Sequence, residues 1–131
     1  MKRQLRLGTY RTLNLYIVKN LNDDWLGYCY FPENASPGST VYIMDGCSVE
    51  AATLPGGSEA DFNLGHIATH EIGHWFGLYH TFQGGCNGDG DYVSDTPAQA
   101  SASEGCPVGR DSCPNQPGLD PIHNYMDYSY E

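Results

Sequence analysis

The chain has 131 residues, enough for one compact domain and too few for two ordinary ones. Six Lys plus Arg stand against sixteen Asp plus Glu, a formal net charge of -10, and such a chain repels phosphate backbones, which excludes nucleic acid as a partner. No apolar run approaches the ~20 residues that span a bilayer, and the basic residues of Met1-Lys2-Arg3-Gln4-Leu5-Arg6-Leu7 have no apolar stretch behind them, so this is not a secretory signal peptide.

Residues 10–18 place Leu13, Leu15 and Ile17 on one side in alternation, the pattern of a half-buried strand. Asn22-Asp23-Asp24 is a turn signal. Residues 25–31 are aromatic-rich and read as a strand or a packed loop, and residues 32–39 as a loop. Thr40–Met44 reads as another strand, with Gly46 ending it or carrying it on through a bulge. Pro55-Gly56-Gly57 is a break. A helix begins near Asn63, a good N-cap residue, with Leu64, Ile67, Ala68, Ile72 and Phe76 as its apolar side and Gly77 as a C-terminal left-handed residue. Residues 81–121 hold no helix or strand of useful length. A structureless stretch of about 40 residues needs some other restraint, and disulfides or a metal are the candidates.

The helix carries His70-Glu71-Ile72-Gly73-His74-Trp75-Phe76-Gly77-Leu78-Tyr79-His80. Two histidines at i and i+4 share a helix face, with Cβ atoms ~5–6 Å apart, so both rings can reach one Zn2+ at ~2.0–2.1 Å. Glu71 projects beside such a metal without ligating it. It can take a proton from metal-held water, whose pKa falls towards ~7, and hand it to the departing amine. On a continued helix His80 would point away. Gly77 resolves this, because a glycine can adopt the left-handed conformation that ends the helix and swings the chain back. Three histidines leave the fourth zinc position open for water and substrate. His66 lies on the same side as His70, but a fourth histidine would close the site, so it reads as a rim or surface residue. His123 reads as structural, with a position near the S1′ pocket as the lesser alternative.

At these residues the chain resembles the metzincins, and within them the pappalysin (cytophagalysin-like) group of secreted fungal and bacterial metalloproteases. The likeness extends through Thr81-Phe82 and Gly84-Gly85-Cys86, through Gly90-Asp91-Tyr92-Val93-Ser94-Asp95-Thr96-Pro97, and through Asn124-Tyr125-Met126-Asp127-Tyr128-Ser129. It implies an α+β metzincin-like zincin domain. A twisted, mostly parallel sheet and an active-site helix would form an upper part over about residues 1–77. An irregular, disulfide-tied lower part would follow over about 78–131. It further implies that Met126 is the Met-turn methionine under the histidines and that Tyr128 donates a hydrogen bond to the oxyanion.

The implied activity is that of a monomeric, secreted zinc endopeptidase. Its protein or peptide substrate would lie extended along an edge strand within residues 40–49, with S1′ near the stretch before Met126. The alternative is an impaired fragment or pseudoenzyme that binds zinc or protein without turnover. From its residues alone, Asp89-Gly90-Asp91 with Asp95-Thr96 is a solvated acidic loop. The resemblance implies a Ca2+ site there, with Asp91, Ser94 through its carbonyl, and Thr96 at the matching positions.

Cys29, Cys47, Cys86, Cys106 and Cys113 form no Cys-x-x-Cys pair, and five cysteines among Gly- and Pro-rich loops suggest disulfides and an oxidising compartment. The resemblance pairs Cys86 with Cys113 and Cys106 with a cysteine beyond Glu131, which leaves Cys29 with Cys47 as a third bridge. A local alternative pairs Cys106 with Cys113 and leaves Cys86 free. The odd count, and the absence of the C-terminal helix that follows the Met-turn in metzincins, imply a domain clipped at its end. The missing signal or pro-segment implies the same at its start.

Overall fold

Three short strands pair into one sheet among the described residues: β1 (Leu15–Val18), β2 (Gly27–Cys29) and β3 (Cys47–Glu50), in the order β1-β3-β2. The computed structural model of the chain describes residues 1–21 and 25–130, so the turn signal at Asn22-Asp23-Asp24 lies outside the described residues. The sheet is mixed rather than mostly parallel. β1 runs parallel to β3, with Leu15 opposite Cys47, whereas β2 runs antiparallel, with Cys29 opposite Cys47. That last pairing places two cysteines side by side on neighbouring strands, and they form a disulfide. β3 is the central strand, and Cys47, Ser48 and Val49 are all fully buried.

Two expectations for this region are corrected. Thr40–Met44 is a short helix, α2, and not a strand. Its β-branched and aromatic residues favour a strand, but the Ser39 hydroxyl accepts a hydrogen bond from the Tyr42 N–H and caps a helical turn. Tertiary contacts add to this: the Tyr42 hydroxyl donates to the Gly8 carbonyl, and the Arg6 guanidinium lies over the Tyr42 ring. Consequently the stretch 40–49 contains a helix and a central strand, and it offers no edge to an incoming peptide. In β1 the alternation holds, but its inward member is Tyr16, while Leu15 and Ile17 are exposed. The reason is Lys2, in helix α1 (Lys2–Leu5). Its buried ammonium sits over the rings of Tyr16, Tyr28 and Tyr30 and donates to the carbonyls of Met44 and Gly46. Burial lowers the Lys2 pKa to about 8.

Helix α3 (His66–Trp75) packs on β2 and β3. Its N-cap is Gly65, in a left-handed conformation, while the Asn63 amide donates instead to the Gly57 carbonyl. The helix therefore starts slightly later than its sequence suggests. Leu64 and Phe76, read as part of its apolar side, are exposed, and the buried residues of α3 are His70, Glu71 and His74. Helix and sheet are bound through Asp45, which is buried at the end of α2. Its carboxylate accepts from Arg6 at 2.7 Å and from the Trp75 indole N–H at 2.9 Å.

The chain divides into two compact units, Met1–Gly77 and Leu78–Glu131. The second holds no helix or strand among its described residues, in keeping with the reading of 81–121. A disulfide joins Cys86 to Cys113 across a sequence separation of 27, and Cys106 is an exposed free thiol. Inside this unit the buried residues are largely polar: Thr81, Asp91, Gln99, Ser103, Asp120 and Asp127. Without regular ladders, the buried backbone needs side-chain partners. Asp120 supplies two bonds to Ser112 and an ion pair to Arg110 at 2.7 Å. No helix among the described residues is long and apolar enough to cross a membrane.

Removing the Asp45 carboxylate leaves a buried guanidinium and an indole N–H without their acceptor. Asp45→Ala is expected to cost about 3–5 kcal/mol in urea unfolding. A loss under ~1 kcal/mol would show that Arg6 and Trp75 find other partners.

Candidate metal centre

Helix periodicity brings His70 and His74 together. Both are buried, their ring centroids are 4.7 Å apart, and their Nε2 atoms are 3.1 Å apart. Two nitrogens each ~2.0–2.1 Å from one tetrahedral zinc would stand roughly 3.3 Å apart, so this spacing suits a shared ion. The Phe31 ring lies 5.1 Å from that of His74.

The helix ends at Trp75 with Phe76 as its C-cap, and Gly77 takes φ +90°, with its N–H donating to the His74 carbonyl. A Cβ there would be strained by the backbone conformation alone. Beyond this reversal comes His80. One ligand nitrogen from each of His70, His74 and His80 lies within 4.8 Å of the others. Among the described residues this is the one group of three or more His, Cys, Asp or Glu side chains gathered closely enough to hold a metal ion. Three imidazole nitrogens are the donor set of a catalytic zinc site, with one coordination position left open. His66 and His123 are exposed and stand outside the group.

The His80 ring is stacked on Phe82 at 4.8 Å and meets the Tyr128 ring edge-on at 4.9 Å. The Thr81 N–H donates to the Met126 carbonyl, which ties the residue after His80 to a tight turn. That turn is closed by Asn124, whose side chain accepts from the Met126 N–H and whose carbonyl accepts from the Asp127 N–H. Met126 is buried and Tyr128 is half exposed. Asp127 lies between them. Burial opposes its charge, but hydrogen bonds from Ser103, Gln99 and the Tyr128 N–H outweigh this and hold its pKa below the ordinary value.

Glu71 is only 7% exposed, and desolvation raises its pKa from 4.5 to about 7. Its side chain lies across Gly27 of β2: a Cβ built on Gly27 would come within 2.7 Å of the Glu71 Cγ and 2.9 Å of its Oε1. Sequence reading passes over Gly27. A glycine inside a strand pattern does mark a close approach, but nothing local says to what. Gln99 is missed as well, since Thr81 and Asp127, which it joins, lie far from it in sequence. The acidic loop is locally occupied: Asp91 is buried and its Oδ1 accepts from the Val93 N–H, Ser94 is exposed, and the Thr96 N–H donates to the Val93 carbonyl. Among the described residues, the Asp, Glu, His and Cys side chains of this loop form no group of three close enough to hold a metal ion.

The raised Glu71 pKa links stability to pH in the zinc-free protein. A group whose folded pKa exceeds its unfolded one stabilises fully below the unfolded value, and that contribution is lost as pH rises through the folded value. Between pH 4.5 and 8, zinc-free wild type should lose on the order of 3 kcal/mol more than Glu71→Gln. Urea unfolding at both pH values checks this, and parallel curves for the two proteins would contradict it.

A family profile described as Pregnancy-associated plasma protein-A (Peptidase_M43) matches residues 7–131. An extracellular metalloprotease of Neurospora crassa is 72% identical over all 131 residues, and Extracellular metalloprotease 1 of Coccidioides posadasii is 66% identical over the same length. The chain spans about half of these relatives, 46% and 47% of their lengths. Among solved structures, mature mirolysin of Tannerella forsythia in complex with a cleaved peptide superposes with a TM-score of 0.76 at 36% identity, over 94% of this chain and 46% of that one. With the match running from residue 7 to the last residue, the chain belongs to the peptidase M43 family, that of pregnancy-associated plasma protein-A, and has a mirolysin-like metzincin fold.

Proposed function

We propose that this chain is the catalytic domain of an extracellular zinc-dependent endopeptidase. The observation that carries the reading is the gathering of His70, His74 and His80 within 4.8 Å, with Glu71 buried on the same helix. Membership of a peptidase family supports it, as do relatives whose names describe extracellular metalloproteases.

In this reading His70, His74 and His80 hold one Zn2+. When bound, the ion would supply Lewis acidity and lower the pKa of a water towards ~7. Glu71 is the base. Buried on the metal-binding helix, it can accept a proton from the attacking water and pass it to the leaving amine. Gly27 gives the Glu71 carboxylate room against the strand. Tyr128 donates its phenolic hydrogen to the developing oxyanion. Met126, buried in its tight turn, has the place of the Met-turn methionine in this reading.

The substrate is an extended stretch of protein or peptide. β2 is one of the two edge strands of the sheet among the described residues, and it is the one that carries Gly27 beside the base. Its outer edge is therefore where a peptide would add main-chain hydrogen bonds. Mirolysin, the relative solved with a cleaved peptide, supports a peptide as the ligand.

Glu71→Ala should keep one zinc per chain and lose about 10²–10⁴-fold in casein cleavage. Undiminished cleavage by that variant would sink the role of Glu71, and a wild type that retains no zinc would sink the reading. Gly27→Ala pushes a methyl group into Glu71. It should leave zinc content unchanged and lower kcat/KM by about 10²-fold, the cost of misplacing a reacting group by ~1 Å. Wild-type kinetics in Gly27→Ala would mean that Glu71 shifts without penalty.

A further inference from the structure

We propose that Gln99 is a positioning residue for His80 and Tyr128, its buried carboxamide clamping together the two loop segments that carry them. The inference rests on the reading of His80 as a zinc ligand and Tyr128 as an oxyanion donor.

Gln99 is 0% exposed and lies in a stretch with no helix or strand. A wholly buried Gln needs a partner for every polar atom, and Gln99 has them. Its Oε1 accepts from the Thr81 hydroxyl at 2.6 Å. Its Nε2, with two hydrogens, is shared among three acceptors, the Asp127 Oδ2 at 2.9 Å, the Ser103 Oγ at 3.0 Å and the Ser101 carbonyl at 3.0 Å. Thr81 directly follows His80, and Asp127 directly precedes Tyr128. The carboxamide thus joins the neighbours of the two functional side chains. A second strap runs in parallel from the Thr81 N–H to the Met126 carbonyl. Asp127 completes the clamp, its Oδ1 accepting from the N–H groups of Ser103 and of Tyr128 itself. The outcome is the edge-on contact of His80 and Tyr128, with Phe82 packed against both rings.

The clamp has a chemical polarity. Thr81 needs an acceptor from residue 99, and the Asp127 carboxylate needs a donor. An amide supplies both at once, whereas a carboxylate of the same shape would face Asp127 with like charge. Residues that orient metal ligands from outside are typically worth about 10–100-fold in metal affinity or activity. Gln99 acts in this way on His80, through Thr81, and on Tyr128, through Asp127.

Gln99→Glu tests the clamp with almost no change in volume. Three quantities are read: zinc affinity by competition with a chromophoric chelator, near-UV circular dichroism of the zinc-free protein, and kcat and KM on a quenched fluorescent peptide. We expect zinc affinity weaker by about 10–100-fold and a lower kcat at unchanged KM. The double variant Gln99→Glu/Asp127→Asn restores a carboxylate–amide pair with its sense reversed, and should recover most of both losses. Wild-type zinc affinity and kcat in folded Gln99→Glu would overturn the proposal. So would losses that the double variant leaves unrelieved, since these would mark Gln99 as a packing residue only. If Gln99→Glu does not fold, Thr81→Val removes one bond without adding charge. It should weaken zinc by a few-fold with an unaltered circular dichroism spectrum, and unaltered zinc affinity there overturns the clamp. A wild type that neither binds zinc nor cleaves peptide is a different failure, that of the underlying functional reading.

Discussion

The reversal at Gly77 is the constraint on which the candidate site depends. An α-helix can present two histidines to one point, because positions four apart share a face. It cannot present a third from six residues further on. The third has to come from chain that has left the helix, and the departure must be immediate and must turn back. Gly77 does this at φ +90°, with its N–H still bonded to the His74 carbonyl. No ligand is spent on the turn, and His80 follows within three residues.

The residues around this point divide the labour by chemistry. Glu71 gains basicity from dryness, held against the bare backbone of Gly27. Asp127 is buried too, yet hydrogen bonds keep it ionised. Two carboxyl groups of similar burial are thus driven in opposite directions, and the count of donors facing each decides the sign. The polar network of the second unit follows the same logic. With no ladder to satisfy the backbone, Gln99, Ser103 and Asp127 supply the hydrogen bonds that strands would otherwise exchange.

What sequence reading could reach follows from how local each signal is. The grouping of His70, His74 and His80 was legible because spacing along a helix and one glycine encode it. The lack of helix and strand over residues 81–121 was legible from the sequence of that stretch. The helix at Thr40–Met44 was not, because a Ser39 cap and contacts to Arg6 and Gly8 overrode the strand propensity of its residues. The inward face of β1 was misread because a buried Lys2, distant in sequence, turns Tyr16 inward. Gly27 and Gln99 stayed hidden for the same reason: each acts on a residue more than ten positions away.

Zinc-edge X-ray absorption on the purified chain tests the central claim most directly. The account predicts three imidazole nitrogens at about 2.0–2.1 Å and no sulfur. A sulfur scatterer at ~2.3 Å, which would bring in Cys106, or fewer than three imidazoles, would contradict it.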